Sequence, residues 1–258
     1  MKAAVICGHN ESGRIVPVLR EMIDLTDFYL VLVDNNSTDQ TYNQMKSFEG
    51  DRVLVLQQSI QGKAMAQRIG LDAALMSGAQ TILTMDADGE HKPSDMLELY
   101  QSYESSGLDL IIGDRFPNQE TPLKDRIVAE CIRRITGILP RDPRCGARVY
   151  NSEVIQNTIE ETLAINYGLD TELCLLALRN GYSLGSFELE FKKKSSVTIP
   201  LPSEMKNLAT ENAELTDLYR VFGRGDIERG RTLLNNHEKL IREFGNSSSI
   251  GHHQAVYL

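Results

Sequence analysis

Short apolar segments alternate with longer segments of helical character along the first half of the chain. The apolar runs cover residues 3–7, 29–33, 53–56 and 81–85, and residues 108–113 form a further predicted strand. Continuous apolar runs of this length predict strands that are buried on both faces of a parallel sheet. Strands and helices in regular alternation therefore predict an α/β fold, with a mostly parallel sheet flanked by helices.

Polar residues follow three of these predicted strands at the point where each strand ends. They are Asn10 and Glu11, then Asp34, then Asp86 and Asp88. Ligand sites in open α/β sheets lie beyond the carboxyl ends of the strands. The sequence therefore predicts one polar site at this edge, built from three separate turns.

Three acidic residues are spaced two apart after the fourth predicted strand. Asp86, Asp88 and Glu90 point the same way if the chain stays extended. Carboxylate oxygens are the ligands that Mg²⁺ and Mn²⁺ prefer, so one interpretation is a divalent cation site. The other is that the acids cap the strand and open a turn before a helix at Pro93.

Composition excludes several classes of protein. The net charge of −9 argues against a general nucleic-acid binder. The four cysteines are scattered without a CxxC pair, which predicts a reducing, cytoplasmic location. The first apolar run is too short for a signal-peptide core, and no run approaches the roughly 20 residues that span a bilayer.

The chain divides by composition into a core domain, residues 1–199, a helical extension, residues 200–245, and a flexible tail, residues 246–258. The extension carries about as many acids as bases. We therefore expect it to dock on the core or on a second subunit, which would make the protein a homo-oligomer. The lysines at 192–194 leave open a peripheral contact with the inner face of an anionic membrane.

Several short motifs occur in an order that resembles a known family. They are Asn10-Glu11-Ser12, Val33-Asp-Asn-Asn-Ser-Thr-Asp39, Gly62-Lys63-Ala64, Met85-Asp-Ala-Asp-Gly-Glu-His91, Ile112-Gly-Asp-Arg-Phe116, Asp142-Pro-Arg-Cys-Gly-Ala-Arg148 and Leu169-Asp-Thr-Glu172. Together they resemble the family 2 glycosyltransferases of the GT-A fold, and within them the polyprenyl-phosphate mannosyl- and glucosyltransferases. The resemblance covers residues 3–194.

The resemblance implies a nucleoside diphosphate sugar as donor. Asp86 and Asp88, with Glu90, would hold Mg²⁺ or Mn²⁺ on the donor diphosphate. Asp34 would recognise the base or ribose, and Asn10 and Glu11 would help to position the nucleoside.

The chemistry of sugar transfer predicts further site residues. Arginine grips phosphate in a bidentate manner, so Arg115, Arg126 and Arg148 are candidates for neutralising phosphate, each with a surface role as the alternative. Lys63 would contact donor phosphate near a helix start.

The acceptor determines whether a base is needed. A hydroxyl acceptor needs one, and Asp170 or Glu172 would supply it, although Asp170 would also suit a helix N-cap. A lipid phosphate acceptor is already anionic and needs cations instead. Attack opposite the diphosphate predicts inversion at the anomeric carbon.

Two other functions remain open on the sequence. A nucleotidyltransferase of similar fold would carry a Gly-rich basic loop after the first strand, and residues 8–13 lack its arginine and lysine pattern. A non-catalytic sugar-nucleotide-binding protein remains an alternative, because Asn35, Asn36 and Asp114 depart from the family pattern.

Overall fold

The computed structural model describes residues 1–117, 119–164 and 167–189. Its centre is a seven-stranded sheet with the order β3-β2-β1-β4-β6-β5-β7. The strands are β1 (Lys2–Gly8), β2 (Tyr29–Asp34), β3 (Val53–Gln57), β4 (Thr81–Asp86), β5 (Leu110–Asp114), β6 (Arg148–Asn151) and β7 (Leu184–Glu188). All pairings are parallel except those of β6, which runs against β4 and β5. The predicted α/β fold with a mostly parallel sheet is confirmed.

Helices connect the strands much as the polar and apolar pattern predicts. They are α1 (Ile15–Leu25), α2 (Thr41–Lys46), α3 (Lys63–Met76), α4 (Pro93–Ser106), α5 (Leu123–Thr136), α6 (Ser152–Thr158) and α7 (Leu169–Arg179). Pro93 opens α4, where its missing N–H costs nothing. Gly137 ends α5 in the left-handed conformation, with φ of 81°, which glycine adopts without strain.

The core lies on both faces of the central strands. The inner residues of β1 and β2 are almost completely buried, which explains why their sequences are apolar throughout. Helix α3 packs closely on these strands through Gly70. A Cβ atom on Gly70 would lie 2.3 Å from Val5 Cγ1, so only glycine allows this approach. The packing fixes α3 relative to the edge where the predicted site lies.

The predicted helical extension, residues 200–245, and the tail, residues 246–258, lie outside the described residues, as do the lysines at 192–194. Within the three described ranges, no helix combines the length and the apolar character that a membrane span needs.

Candidate active site

The sheet order brings the predicted polar turns to one edge. In the register, Gly8 of β1 pairs with Asp34 of β2, and Cys7 pairs with Asp86 of β4. Asp34 and Asp86 therefore flank the end of β1 on opposite sides. Two strand spacings separate their backbones, which is about 10 Å. A ligand of nucleotide size can contact both residues.

Asp86 forms an ion pair with Lys63, the first residue of α3. Lys63 Nζ lies 2.9 Å from Asp86 Oδ2, and the two side chains are 33% and 30% exposed. Burial raises the pKa of Asp86, but the charge and hydrogen bond of Lys63 outweigh it and hold that pKa below its usual value. The pKa of Lys63 is raised, because the charges of Asp86 and Asp170 overcome the opposing effect of burial. Both groups are therefore charged at neutral pH.

Asp88 and Glu90 lie in the turn that follows β4. Asp88 Oδ1 accepts a hydrogen bond from the Glu90 backbone N–H at 3.0 Å, so the turn that the alternative interpretation predicted is present. In the described part of the chain, no three His, Cys, Asp or Glu side chains are grouped to hold a metal ion. The expected convergence of Asp86, Asp88 and Glu90 into a three-carboxylate group is therefore not seen.

The residues present still fit a magnesium-type ion. Mg²⁺ is usually held by one or two carboxylates together with substrate phosphates and water, rather than by a complete protein cage. Asp86 offers partly exposed oxygens at the strand end. Gly146 leaves room beside them, since a Cβ atom there would lie 3.0 Å from Asp86 Oδ2.

Asp34 lies at the other side of the β1 end and is completely buried. Its Oδ2 accepts hydrogen bonds from the Ser37 backbone N–H at 3.1 Å and from Gln57 Nε2 at 3.3 Å. Its Oδ1 is also buried, and no donor among the described residues reaches it. A buried carboxylate oxygen without a donor is costly, so this atom is suited to an N–H or O–H of a ligand.

Asn10 and Glu11 join the loop after β1 to the loop after β2. Asn10 adopts the left-handed conformation, with φ of 57°. Its Oδ1 accepts a hydrogen bond from the Thr38 backbone N–H at 2.9 Å. The Glu11 backbone N–H donates to Thr41 Oγ1 at 2.7 Å, while the Glu11 carboxylate pairs with Arg14. These contacts fix the shape of the edge around Asp34.

Asn35 and His9 contribute to this edge in a way that the sequence did not indicate. Asn35 is 7% exposed, and its Oδ1 accepts hydrogen bonds from the Gly62 backbone N–H at 2.8 Å and from Gln58. His9 Nδ1 lies 2.8 Å from the Asn35 carbonyl oxygen, and its Nε2 lies 3.1 Å from Gln61 Nε2. The only available signal was that Asn35 departs from the family pattern. Together the two residues tie the loop before α3 to the loop after β2, and so fix Lys63.

Asp170 and Glu172 lie in the first turn of α7 but in different surroundings. Asp170 is partly exposed, and its Oδ1 accepts a hydrogen bond from Gln67 Nε2 at 2.8 Å. Glu172 is 1% exposed, and its Oε2 accepts hydrogen bonds from the backbone N–H groups of Leu163 and Ala164 at 2.9 and 3.0 Å. The charge of Asp170 is close enough to Lys63 to help to raise the pKa of that lysine.

Arg148 is completely buried at the start of β6. Its guanidinium donates to the backbone carbonyl oxygens of Cys145, Asp170 and Pro143, at 2.7, 2.6 and 2.5 Å. The structure therefore places Arg148 beneath the site, where it joins the loop before β6 to the start of α7.

Partly exposed arginines surround buried carboxylates between β5 and β6. Arg115 makes a bidentate contact with Asp142, with distances of 2.7 and 2.8 Å. Asp125 lies 3.5 Å from Arg115 and 3.2 Å from Arg144, and Arg141 pairs with Asp114 at 2.8 Å. Arg126 pairs at 3.1 Å with Glu120, whose side chain is 81% exposed. We call the set Arg115, Arg126, Arg141 and Arg144 the arginine cluster.

A small cavity lies between α3 and the ends of β1 and β4. It is lined by Val5, Cys7, Lys63, Gln67, Thr84, Met85, Asp86 and Gly146. The cavity connects the Lys63–Asp86 pair with Gln67, which contacts Asp170. The structure thus brings Asp34, Lys63, Asp86 and Asp170 to one region and places Glu172 and Arg148 in the supporting structure.

Known proteins share this architecture. A solved structure of glucosyl-3-phosphoglycerate synthase from Mycobacterium tuberculosis, in complex with uridine-diphosphate, superposes with a TM-score of 0.69 over 86% of this chain and 80% of that one, at 17% identity. This likeness shows the fold.

Two proteins that are similar in sequence are named for a transferase or synthase activity. A UDP-N-acetylglucosamine–dolichyl-phosphate N-acetylglucosaminyltransferase of Methanococcus voltae is 23% identical over 72% of this chain and 83% of its own. A polyprenol monophosphomannose synthase of Mycolicibacterium smegmatis is 26% identical over 78% and 80%. The family described as Glycosyl transferase family 2 matches residues 3–143, which is more than half of the chain. The chain therefore belongs to glycosyl transferase family 2, and it is a glycosyltransferase.

Proposed function

We propose that this enzyme moves a hexose from a nucleoside diphosphate sugar to a polyprenyl phosphate, with inversion at the anomeric carbon. The assignment of the donor rests on one observation: the acids Asp34 and Asp86 lie on either side of the end of β1. The acceptor assignment is supported by the arginine cluster and by the two relatives that are named for dolichyl phosphate and for polyprenol monophosphomannose.

The nucleoside binds at Asp34 in this proposal. Its Oδ1 is buried and has no donor among the described residues, so a base N–H or ribose O–H satisfies it. Asn10 and Glu11 hold the neighbouring loops in place. The diphosphate then extends across the end of β1 toward Asp86.

The diphosphate end of the site is built from Lys63 and the acids after β4. Asp86 and Asp88 would hold a divalent cation, with Glu90 as a further oxygen donor. When bound, that cation supplies Lewis-acid stabilisation of the charge that develops on the leaving diphosphate. Lys63, at the start of α3, adds a positive charge at a helix N-terminus, which itself favours phosphate.

The acceptor phosphate binds at the arginine cluster. Asp114, Asp125 and Asp142 are each at most 2% exposed, while the arginines that they hold are partly exposed. The buried carboxylates therefore hold the guanidinium groups in place from the inside. The exposed side of each of these groups can then bind a phosphate. Arg126 pairs with the highly exposed Glu120, so a phosphate can replace that carboxylate.

Asp170 acts on a hydroxyl group of a substrate. In transfer to a phosphate, which is already a nucleophile, Asp170 accepts a hydrogen bond from a donor-sugar hydroxyl. In transfer to a hydroxyl acceptor, the second candidate function, it takes the proton of the attacking group. We assign Arg148 and Glu172 to supporting roles, because backbone groups occupy their side chains.

The test is binding followed by transfer. Thermal unfolding of the full chain is measured with UDP-, GDP- and dTDP-sugars, with and without Mn²⁺ or Mg²⁺. One nucleotide should stabilise the protein in a cation-dependent manner, because a ligand that binds only the folded state raises the unfolding temperature. Polyprenyl phosphate and simple alcohols are then compared as acceptors.

Asp88→Ala should abolish the cation-dependent stabilisation and the transfer. Asp27→Asn is the matched control, because Asp27 lies before β2 at the opposite edge, where its 74% exposed side chain pairs with Lys2. Stabilisation by none of the nucleotides would refute the donor assignment. Transfer to alcohols alone would refute the phosphate acceptor.

A further inference from the structure

Gln67 is the exceptional residue on the buried face of α3. The other buried residues of this helix are small or aliphatic: Ala64, Ala66, Gly70, Leu71 and Ala74. Gln67 is only 6% exposed. Burying an amide among such residues is unfavourable unless it is hydrogen-bonded. Its Nε2 finds its partner 103 residues away, in Asp170 Oδ1 at 2.8 Å.

Lys63 and Gln67 are one helical turn apart, so they lie on the same face of α3. Lys63 contacts Asp86 at the diphosphate end of the site, and Gln67 contacts Asp170 at the start of α7. Helix α3 itself is fixed on β1 by the close approach at Gly70. One rigid element thus holds both acids at a set separation.

The contacts on Asp170 are asymmetric. Gln67 Nε2 at 2.8 Å and Arg148 Nε at 3.6 Å both approach Oδ1, while Arg148 Nη1 holds the Asp170 backbone carbonyl at 2.6 Å. The Gln67 hydrogen bond, with the Arg148 charge on the same side, sets the rotation of the carboxylate. Because the rotation of the carboxylate is set, the position of its other oxygen, Oδ2, is set as well. The Asp170 side chain is 13% exposed.

We propose that Gln67 is a positioning residue, which orients Asp170 so that Oδ2 meets a substrate hydroxyl group. This inference rests on the proposed function, in which Asp170 acts on such a hydroxyl. Gln67 itself contacts no substrate. A neutral donor is suited to this task, because it fixes Asp170 without adding another charge between Lys63 and Arg148.

Two substitutions separate orientation from packing. Gln67→Met keeps the length of the side chain and removes the donor. Gln67→Glu keeps the shape and puts a carboxylate against Asp170. The matched controls are Gln101→Met and Gln101→Glu, since Gln101 is exposed on α4.

Gln67→Met should lower kcat by about ten- to a hundredfold, because small losses of orientation at a reacting group have effects of this size. The cation-dependent stabilisation by a nucleoside diphosphate, which lacks the sugar that Asp170 contacts, should stay at its wild-type value. Asp34 and Asp86 carry binding of the nucleotide part, and the substitution leaves both unchanged.

Gln67→Glu should show a dependence on pH that Gln67→Met does not. Two facing carboxylates cannot both stay ionised easily, so the pair takes up a shared proton as the pH falls. The protonated carboxyl group then donates a hydrogen bond, as the amide does. The activity of Gln67→Glu relative to wild type should therefore rise from about pH 8 to about pH 5.5, while the ratio for Gln67→Met stays flat.

The other titratable groups around Asp170 do not account for the expected pH dependence of the activity ratio. Burial raises the pKa of Cys174 to about 11 and also raises that of Cys7 and Tyr150, while nearby acids raise the pKa of Lys63 against the effect of burial. The pKa of Arg148 is raised as well: burial opposes the charged form, but Tyr150 and Asp170 favour it. None of these groups changes charge in the interval. Glu172, on the same helix, and His91, near Asp86, are present in both the variant and the wild type. Their effects on activity therefore cancel in the ratio of the two activities.

A double-mutant cycle with Asp170→Asn completes the test. If Gln67 acts through Asp170, the loss from Gln67→Met should largely disappear in the Asp170→Asn background. Wild-type kcat in Gln67→Met, fully additive losses, or equal and pH-independent losses in both Gln67 variants would each overturn the proposal. If Gln67→Met does not fold, the pH ratio of Gln67→Glu decides alone. Nucleotide binding with no effect at Gln67 refutes this inference only, whereas absence of nucleotide binding refutes the proposed function.

Discussion

At the scale of single residues, Asp34 presents two oxygens in different environments. Oδ2 accepts two hydrogen bonds from its own and the neighbouring loop, and Oδ1 is buried without a donor among the described residues. We expect Asp34→Ala to weaken nucleotide binding by about tenfold or more, since a charged hydrogen bond contributes roughly 1.5–3 kcal/mol. Isothermal titration with the stabilising nucleotide measures the effect.

Asp27→Asn serves as the control for this change, because it removes an acid of a surface ion pair far from the ends of the strands. Unchanged affinity in Asp34→Ala, with an unfolding temperature equal to that of the control, would show that the nucleoside binds elsewhere. A loss of affinity in both variants would point to a general electrostatic effect.

The residue type alone did not show which of the candidate residues lie in the interior. Arg148 and Glu172 have the residue types that phosphate binding and base catalysis need, yet both lie in the interior with backbone partners. Their neighbours gave a signal. Arg148 precedes Val149 and Tyr150 in a buried strand, and Glu172 lies in a leucine-rich helix, where polar groups are buried and hydrogen-bonded.

At the scale of elements, α3 depends on its closest contact with the sheet. Gly70→Ala should destabilise the protein by about 1–3 kcal/mol, the usual effect of overpacking, although alanine favours helix by about 1 kcal/mol over glycine. The added methyl group would lie 2.3 Å from Val5 Cγ1 and 3.1 Å from Val33 Cγ2. Urea unfolding followed by circular dichroism measures the change.

Gly13→Ala is the control, because a Cβ atom at Gly13 meets nothing within 4 Å. Its stability should stay within about 0.5 kcal/mol of wild type. If Gly70→Ala were as stable as this control, α3 would have to sit farther from β1, and the contacts of Lys63 and Gln67 would be less tightly fixed than we infer.

Most elements were predictable because local signals define them. Apolar runs fixed the strands to within two residues at their starts, and Pro93 fixed the start of α4. The pairing of β6 between β4 and β5 was not predictable. Its pairing with β4 joins residues that are distant in the sequence, such as Thr84 and Arg148, and the short apolar run of β6 suits either direction equally well.

At the scale of the whole molecule, the site is also built from segments that are distant in the sequence. The shared edge followed from the general rule for parallel sheets, so Asp34 and Asp86 were correctly expected together. The contact between Gln67 and Asp170 depends on the placement of α7 against α3, which no local pattern specifies. A polar residue on an otherwise apolar helical stripe, at positions 64, 67, 71 and 74, was the one available sign.

The buried cysteines report on the integrity of the molecule. Cys145 and Cys174 are 0% exposed, and burial raises the pKa of their thiols to about 12 and about 11. Both thiols are thus protonated and inaccessible at pH 8, where alkylation needs an exposed thiolate. Iodoacetamide should label them only as the protein unfolds, with urea increasing the rate.

Mass spectrometry of digested protein after timed labelling gives the two rates separately. The partly exposed Cys7 is the internal comparison, although burial raises the pKa of its thiol as well. Rapid labelling of Cys145 or Cys174 in native buffer, at a rate that urea does not change, would contradict the packing around the loop before β6 and around α7.

The reversed direction of β6 has a consequence for how such enzymes diversify. Because β5 leaves the sheet at the edge where β6 enters it, and the two strands pair, residues 115–147 are topologically the connection of a β-hairpin. That connection contains the whole arginine cluster. Hairpin connections tolerate exchange and insertion without changing strand order. We therefore expect acceptor preference to be exchangeable as a single cassette between two strands whose pairing stays the same, provided that the cassette keeps Pro143, Cys145 and Gly146, which hold Arg148 and leave room beside Asp86.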